Sequence, residues 1–178
     1  MQQEKETDTS ILVRSAQEGD GAAFTALVHK HYDQMYRYAL RFSGQVSDAE
    51  DITQQACMKL ARSIHQFRFE SAFNTWLYRL VTNCAKDWLR SAGNRAVEPL
   101  DENYVGPSIE DSSAQIQLEQ VLRQVDEFGA GFRETTILVL AEGLSHKDAA
   151  VVLGVKESTI SWRLHEVRKR LAAAEVQS

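Results

Sequence analysis

Two cysteines, two prolines and no long apolar run mark what this chain of 178 residues does without. Cys57 and Cys84 each fall inside an apolar helical pattern, without a second pair or a histidine at metal-ligand spacing. They read as small buried hydrophobes in a reducing compartment, not as a disulfide or a zinc site. The N-terminal MQQEKETDTS has no apolar core of a signal peptide, and no segment is long enough to span a membrane, so a soluble cytoplasmic protein without membrane insertion is expected. An excess of positive charge is missing as well. With Lys+Arg 20 against Asp+Glu 25 the net charge is -5, which excludes a generally basic coat and leaves nucleic-acid binding to local patches. Strand-like alternation is absent. The five histidines form no His-Glu-x-x-His pair, no Gly-rich phosphate loop is present, and no Ser or Cys sits in a nucleophile motif. No catalytic residue, metal, cofactor or small-molecule substrate is therefore expected.

What is present is helical periodicity. Residues before Ile11 are expected to fray, and a short apolar piece from Ile11 to Ala16 ends at Gly19. Asp20 is placed to cap a long amphipathic helix with Phe24, Leu27, Val28, His31, Met35, Ala39 and Phe42 as its stripe, stopped by Ser43 and Gly44. Ser47 or Asp48 can cap a third helix burying Ala49, Ile52, Ala56, Leu60 and Ile64, whose opposite side carries the acids, Thr53, Gln54 and Gln55. Phe67 to Ala72 breaks the period. A helix then runs from Phe73 to Leu89 with Trp76, Leu77, Leu80, Val81, Cys84 and Trp88 inward. Residues 92–115 turn polar and acidic and hold both prolines, Pro99 and Pro107, which reads as a flexible acidic linker between two small helical domains over 1–91 and 116–178. In the second, Ser145 and Asp148 make a Ser-x-x-Asp box on a short helix that buries Ala149, Ala150 and Leu153 and ends at Gly154. A last helix from about Ser158 buries Ile160, Leu164, Val167 and Leu171. Two short helices, a Gly-containing turn and small alanines at the crossing make a helix-turn-helix. The fold class is all-α.

Three surfaces are left over. On the last helix Ser158, Thr159, Ser161, Trp162, His165, Glu166 and Lys169 face outward or lie along its edges, with Arg163, Arg168, Lys169 and Arg170 supplying charge for phosphates. Ser161, Trp162, His165 and Glu166 are placed to meet base edges, Trp162 serving equally well as a packing residue. In the middle of the chain, Phe67, Arg68 and Phe69 form an irregular aromatic and basic loop, and Asn74, Tyr78, Arg79, Asn83 and Lys86 fall outside the apolar seam of the following helix. Rings on such a loop suit unpaired bases, although a loop packed over its own domain has the same signature. Asp48, Glu50 and Asp51 at a helix start favour the helix dipole, and with Gln54 and Gln55 they also make a docking face.

Taken together, LVRSAQEGDGAAFTALV, DAEDITQQA, FNTWLYRLVTN and EGLSHKDAAVVLGVKESTISWRLHEVRKRL, in that order, resemble the extracytoplasmic-function sigma factors of bacterial RNA polymerase. The resemblance implies a sigma region 2 bundle, a linker and a region 4 helix-turn-helix. It places Asp48, Glu50, Asp51, Gln54 and Gln55 on the beta-prime clamp helices of core polymerase, with the beta flap as a second contact. The loop at Phe67 and the helix carrying Tyr78 and Asn83 fall on the minus-10 element, where one base leaves the stack, and the last helix falls on the minus-35 element. Promoter DNA and core polymerase are the implied partners, and an anti-sigma factor is a further one that the family admits. Phe69 stands where the family usually has Gly. The alternative reading is a helix-turn-helix regulator acting without sigma-type polymerase docking.

Overall fold

A computed structural model of the chain describes residues 2–92 and 112–175. Among them there are helices, short connections and no strand. They belong to two compact units, Met1–Pro99 and Leu100–Ser178, each considered by itself. Of the expected linker, 93–111 lies outside the described residues, while Ala92 and 112–115, expected as linker, belong to helices.

In the first unit α1 spans Gln2–Gln17, α2 Gly21–Ser43, α3 Val46–Ser63 and α4 Phe73–Ala92, with a single 3-10 turn at Ile64–Gln66 after α3. Asp20 caps α2 as its side chain predicts, its Oδ1 accepting from the amides of Ala22 at 2.9 Å and Ala23 at 3.1 Å. Gly44 ends the helix in the left-handed conformation, φ 76°, which costs a glycine almost nothing. Three boundaries differ from expectation, one of them the end of α4 at Ala92 instead of Leu89. Helix α1 begins at Gln2 instead of fraying up to Ile11, because Asp8 pairs with Lys30 of α2 at 2.5 Å and Thr9 and Val13 are buried. Helix α3 begins at Val46 from an extended Gln45 with no side-chain cap, so Ser47 and Asp48 lie inside its first turn instead of capping it.

Helix α2 is the centre of the unit and packs on α1, α3 and α4. Its predicted stripe is largely buried, together with Tyr38, which the stripe omitted and which is fully enclosed. Ala39, Ala49, Ala56 and Ala85 are solvent-free and let the helices cross closely. Thr53, assigned by pattern to the polar side of α3, is buried and returns its hydroxyl to Ala49 O at 2.6 Å, which removes the cost of an unpaired donor.

A polar chain runs through this core. The Tyr38 hydroxyl lies 2.7 Å from Thr82 Oγ1, and Thr82 donates to Tyr78 O. The Tyr78 hydroxyl accepts from Gln34 Nε2 at 2.7 Å, and Gln34 Oε1 lies 3.0 Å from His31 Nδ1. Gln34 is the hydrogen-bond partner of the ring at Nδ1, and the buried Nε2 of His31 makes no hydrogen bond among the described residues. Burial holds the His31 pKa below its ordinary 6.5; the Gln34 hydrogen bond opposes that shift and the charge of Lys30 adds to it. At pH above about 6.5 both folded and unfolded chains carry a neutral ring. Below it the unfolded chain takes up a proton that the folded one refuses, so stability falls until the depressed folded pKa is reached. Melting temperatures of the wild type should therefore decline as pH falls below about 6.5 more steeply than those of His31→Gln; parallel profiles would remove His31 as the cause.

The second unit contains α5 Ser112–Asp126, α6 Phe132–Thr136 continuing into a π-helical turn at Ile137–Ala141, α7 His146–Leu153 and α8 Glu157–Glu175. Its core joins Leu122, Val125, Phe132, Ile137, Leu138, Ala149, Ala150, Val152, Ile160, Leu164 and Val167. Val152 takes the inner place that the periodicity gave to Leu153, which is half-buried. The Ser145 cap forms, its Oγ accepting from Asp148 N at 3.0 Å, and Gly154 closes α7 at φ 67°.

Candidate functional site

On α3 the positions 50, 51, 54 and 55 fall on one side of the helix by their spacing, and Glu50, Asp51, Gln54 and Gln55 are exposed while Ile52, Ala56 and Leu60 on the opposite side are buried. Asp48 is half-buried at the start of the same face. One turn beyond Gln54 stands Met58, 52% exposed. The sequence reading did not single it out, since a methionine in an amphipathic helix passes for core. The face thus combines acids at the positive end of the helix, two amides and a flexible apolar side chain.

The loop after α3 is held from α1. Gln17 Nε2 donates to Ile64 O at 2.9 Å and Phe67 O at 2.8 Å. Phe67, expected on the loop surface, is 5% exposed. Its ring lies 5.5 Å from Phe73, 5.5 Å from Trp76 and 4.8 Å from Phe69, so it is the hub of an aromatic cluster and is not free to stack outside it. Phe69 is the one described non-glycine residue at positive φ, 59°. Here the backbone conformation that a Gly adopts freely is imposed on a side chain, at a cost of roughly 1–2 kcal/mol. Its compensation is visible: the Arg14 guanidinium sits 4.3 Å over the Phe69 ring, and the Phe67 ring packs against it in a tilted arrangement. Beside this cluster opens a cavity of about 430 Å³ lined by Ser10, Phe67, Phe69, Glu70, Ser71, Ala72 and Phe73. The α1 contributions, Ser10 and Arg14, escaped sequence reasoning. Their i, i+4 spacing was visible, but nothing local tied α1 to a loop some fifty positions away.

Along α4, Asn74, Arg79 and Asn83 are exposed and Lys86 is half-buried. Arg68 is exposed in the loop. Tyr78 departs from the expectation: it is 3% exposed, its ring edge-on to Tyr38 at 5.3 Å and its hydroxyl held by Gln34. It supports α4 from behind. On the far side Asp87 pairs with Lys59 of α3 at 3.5 Å and with Arg90.

On α8 the residues expected to face outward separate into two sets. Ser158, Ser161, Trp162, His165, Arg168 and Lys169 are exposed. Thr159, Arg163 and Glu166 are partly covered. Arg163, expected to supply charge for phosphates, turns toward α6: its guanidinium lies against Gly131 and donates to Thr135 Oγ1 at 3.3 Å. Glu166 accepts from Arg170 Nε at 2.7 Å, and that hydrogen bond, helped by the charges of Arg170, Lys169 and His165, holds its carboxyl below the usual range. Arg170 in turn lies 4.8 Å over Phe128. Trp162 is 55% exposed, and its ring packs against Phe132 with centroids 5.5 Å apart. The positive charge left on the open face is that of Arg168 and Lys169.

Gly131 has φ 85° and a Cβ there would overlap the Arg163 guanidinium. Gly131→Ala is expected to cost the second unit about 1–2 kcal/mol from the left-handed backbone alone. Removing the guanidinium as well, in Gly131→Ala with Arg163→Ala, should not restore stability in thermal melts. Full recovery would locate the cost in the overlap instead.

Among the described residues no group of His, Cys, Asp and Glu could hold a metal ion, and no helix is long and apolar enough to cross a membrane. The family model for sigma-70 region 2 matches residues 27–95, which include α3, the loop and α4. The chain is 32% identical to the ECF RNA polymerase sigma factor SigE of Mycolicibacterium smegmatis over 93% of its own length and 66% of that protein's. It is 34% identical to the ECF RNA polymerase sigma factor SigM of Mycobacterium tuberculosis, over 86% of this chain and 78% of the relative. Among solved structures it is similar to the sigma factor RpoE of Bartonella quintana, crystallised with the anti-sigma factor NepR: TM-score 0.70 and 25% identity, over 83% of this chain and 93% of that one. A helix-turn-helix regulator without sigma-type docking does not account for a region 2 match, and that alternative is set aside. With a region 2 bundle, a helix-turn-helix behind it and relatives matched across both, the chain belongs to the ECF RNA polymerase sigma factors.

Proposed function

We propose that residues 1–91 act as sigma region 2, 92–115 as the connecting linker and 116–178 as region 4, and that the protein works without chemistry of its own, in the cytoplasm where core polymerase is. The observation that carries this reading is that α3 and the loop–α4 surface belong to one compact unit in which α3 packs on α4. A docking face and a strand-handling face are then held at fixed separation. Asp48, Glu50, Asp51, Gln54 and Gln55 dock on the beta-prime clamp helices, with Met58 filling an apolar recess, while region 4 meets the beta flap.

Upstream, α8 enters the major groove at the minus-35 element, Ser158, Ser161, Trp162 and His165 toward the bases and Arg168 and Lys169 toward phosphates. Arg163 contributes by holding the helix against α6. At the minus-10 element the cavity beside Phe69 takes one base out of the melted strand. Its aromatic walls suit a planar base, and Ser10, Glu70 and Ser71 offer polar groups to the base edge. Asn74, Arg79, Asn83 and Lys86 then follow the strand with Arg68 at the loop, and Phe67 and Tyr78 support this surface from inside. Binding energy from both elements is spent on opening the duplex. An anti-sigma factor that covers α3 would compete directly with core polymerase.

Run-off transcription with reconstituted holoenzyme on fragmented genomic DNA tests the reading. Promoter-dependent transcripts sharing a two-part upstream sequence are expected. Absence of any such transcript, with a control sigma factor active on the same core, would defeat it.

A further inference from the structure

One side-chain hydrogen bond joins α7 to the reading face of α8: His146 Nδ1 and Ser161 Oγ are 2.9 Å apart. His146 is the first residue of α7, next to its cap, and Ser161 is exposed early in α8. Both ends are firmly placed. Ser145 and Gly154 cap α7 at its two ends, Ala149 and Ala150 bury its inner side, and Ile160 and Leu164 anchor α8 on either side of Ser161. A serine hydroxyl has one proton and two lone pairs, and a free one rotates to suit whatever faces it. Bonded to a ring held by another helix, Ser161 loses that freedom.

We propose that His146 is a positioning residue for DNA recognition and sets the hydrogen-bonding role of Ser161. This rests on the reading that α8 meets base edges. We assign the ring proton to Nε2, so that Nδ1 accepts a hydrogen bond from the Ser161 hydroxyl. Ser161 then offers the groove lone pairs only. Such a group selects a base that presents an amino donor in the major groove, cytosine through N4 or adenine through N6. It disfavours the keto oxygens of guanine and thymine. An unconstrained serine would accept either kind.

The test uses full-length protein with core polymerase on duplexes randomised across the upstream element. For the wild type, one position should favour C or A over G and T by about fivefold, the lower range for a single base contact. His146→Leu removes the acceptor and should reduce that preference to about twofold or less. His146→Asn, whose Oδ1 stands near the place of Nδ1, should keep it. Ser161→Ala should abolish the preference and make His146→Leu without further effect on it. A loss of stability alone would weaken binding to all sequences equally and would not change the ratio between bases; if the Leu variant does not fold, retention in the Asn variant against loss in Ser161→Ala carries the test. An unchanged preference in His146→Leu, or a Ser161-dependent preference for G or T, overturns the proposal while leaving the role of α8 intact. No upstream preference in the wild type overturns both.

Discussion

Asp51→Arg combined with Gln54→Ala is expected to lower affinity for core polymerase by at least about 100-fold while the melting temperature stays within about 2 °C of wild type. Both side chains are exposed on α3, so neither is needed to hold the bundle together, and surface changes of this kind ordinarily alter stability by less than about 0.5 kcal/mol. At a docked interface the arithmetic differs. A reversed charge facing a partner selected for its opposite costs several kcal/mol, because the partner's charge is desolvated against a like one. Met58→Ala should produce a smaller loss, about tenfold, as the apolar part of the same contact. The measurement is equilibrium binding to core at two salt concentrations. The wild type should weaken as salt rises, and the Arg variant should lose that dependence. Wild-type affinity in the double variant would move the docking face off α3.

Phe67→Ala should produce the largest stability loss among the loop residues. The ring is almost fully enclosed between Phe69, Phe73 and Trp76, and emptying such a site costs about 3–5 kcal/mol. For a domain of this size that is a fall of about 12 °C or more in the melting temperature of the first unit. Arg68→Ala, beside it but exposed, should melt like wild type and instead weaken binding to single-stranded minus-10 DNA. The two neighbours thus separate folding from recognition. Phe67→Leu, which keeps most of the buried volume, should recover the greater part of the stability. A Phe67→Ala protein that melted normally yet lost single-strand binding would mean that the ring swings out to stack on a base.

The contrast between those neighbours shows what the sequence made legible. Asp20, Gly44, Ser145 and Gly154 announced helix ends because capping is chemistry between residues a few positions apart, and all four act as read. The buried stripes of α2 and α8 were legible for the same reason. Residues on the border of a stripe were not. Tyr78 lies at the edge of the apolar face of α4, and what draws it inward is Gln34, 44 positions earlier. Phe67 is drawn in by a cluster and by Gln17 from α1. Arg163 looked like any basic residue on a DNA-reading helix until Gly131 offered it a surface without a side chain. In each case periodicity allowed both orientations, and a partner distant in sequence decided between them.

Phe69 adds a kinetic consequence. The left-handed backbone, the Arg14 contact and the support from Phe67 are all in place in the free protein. If this loop meets the melted strand as proposed, these contacts would leave it less ordering entropy to lose on binding. The advantage over a freely moving Gly at this position would therefore be read as a longer-lived open promoter more than as faster arrival at it. Lifetime, not encounter, is what a fixed ring at this position would tune.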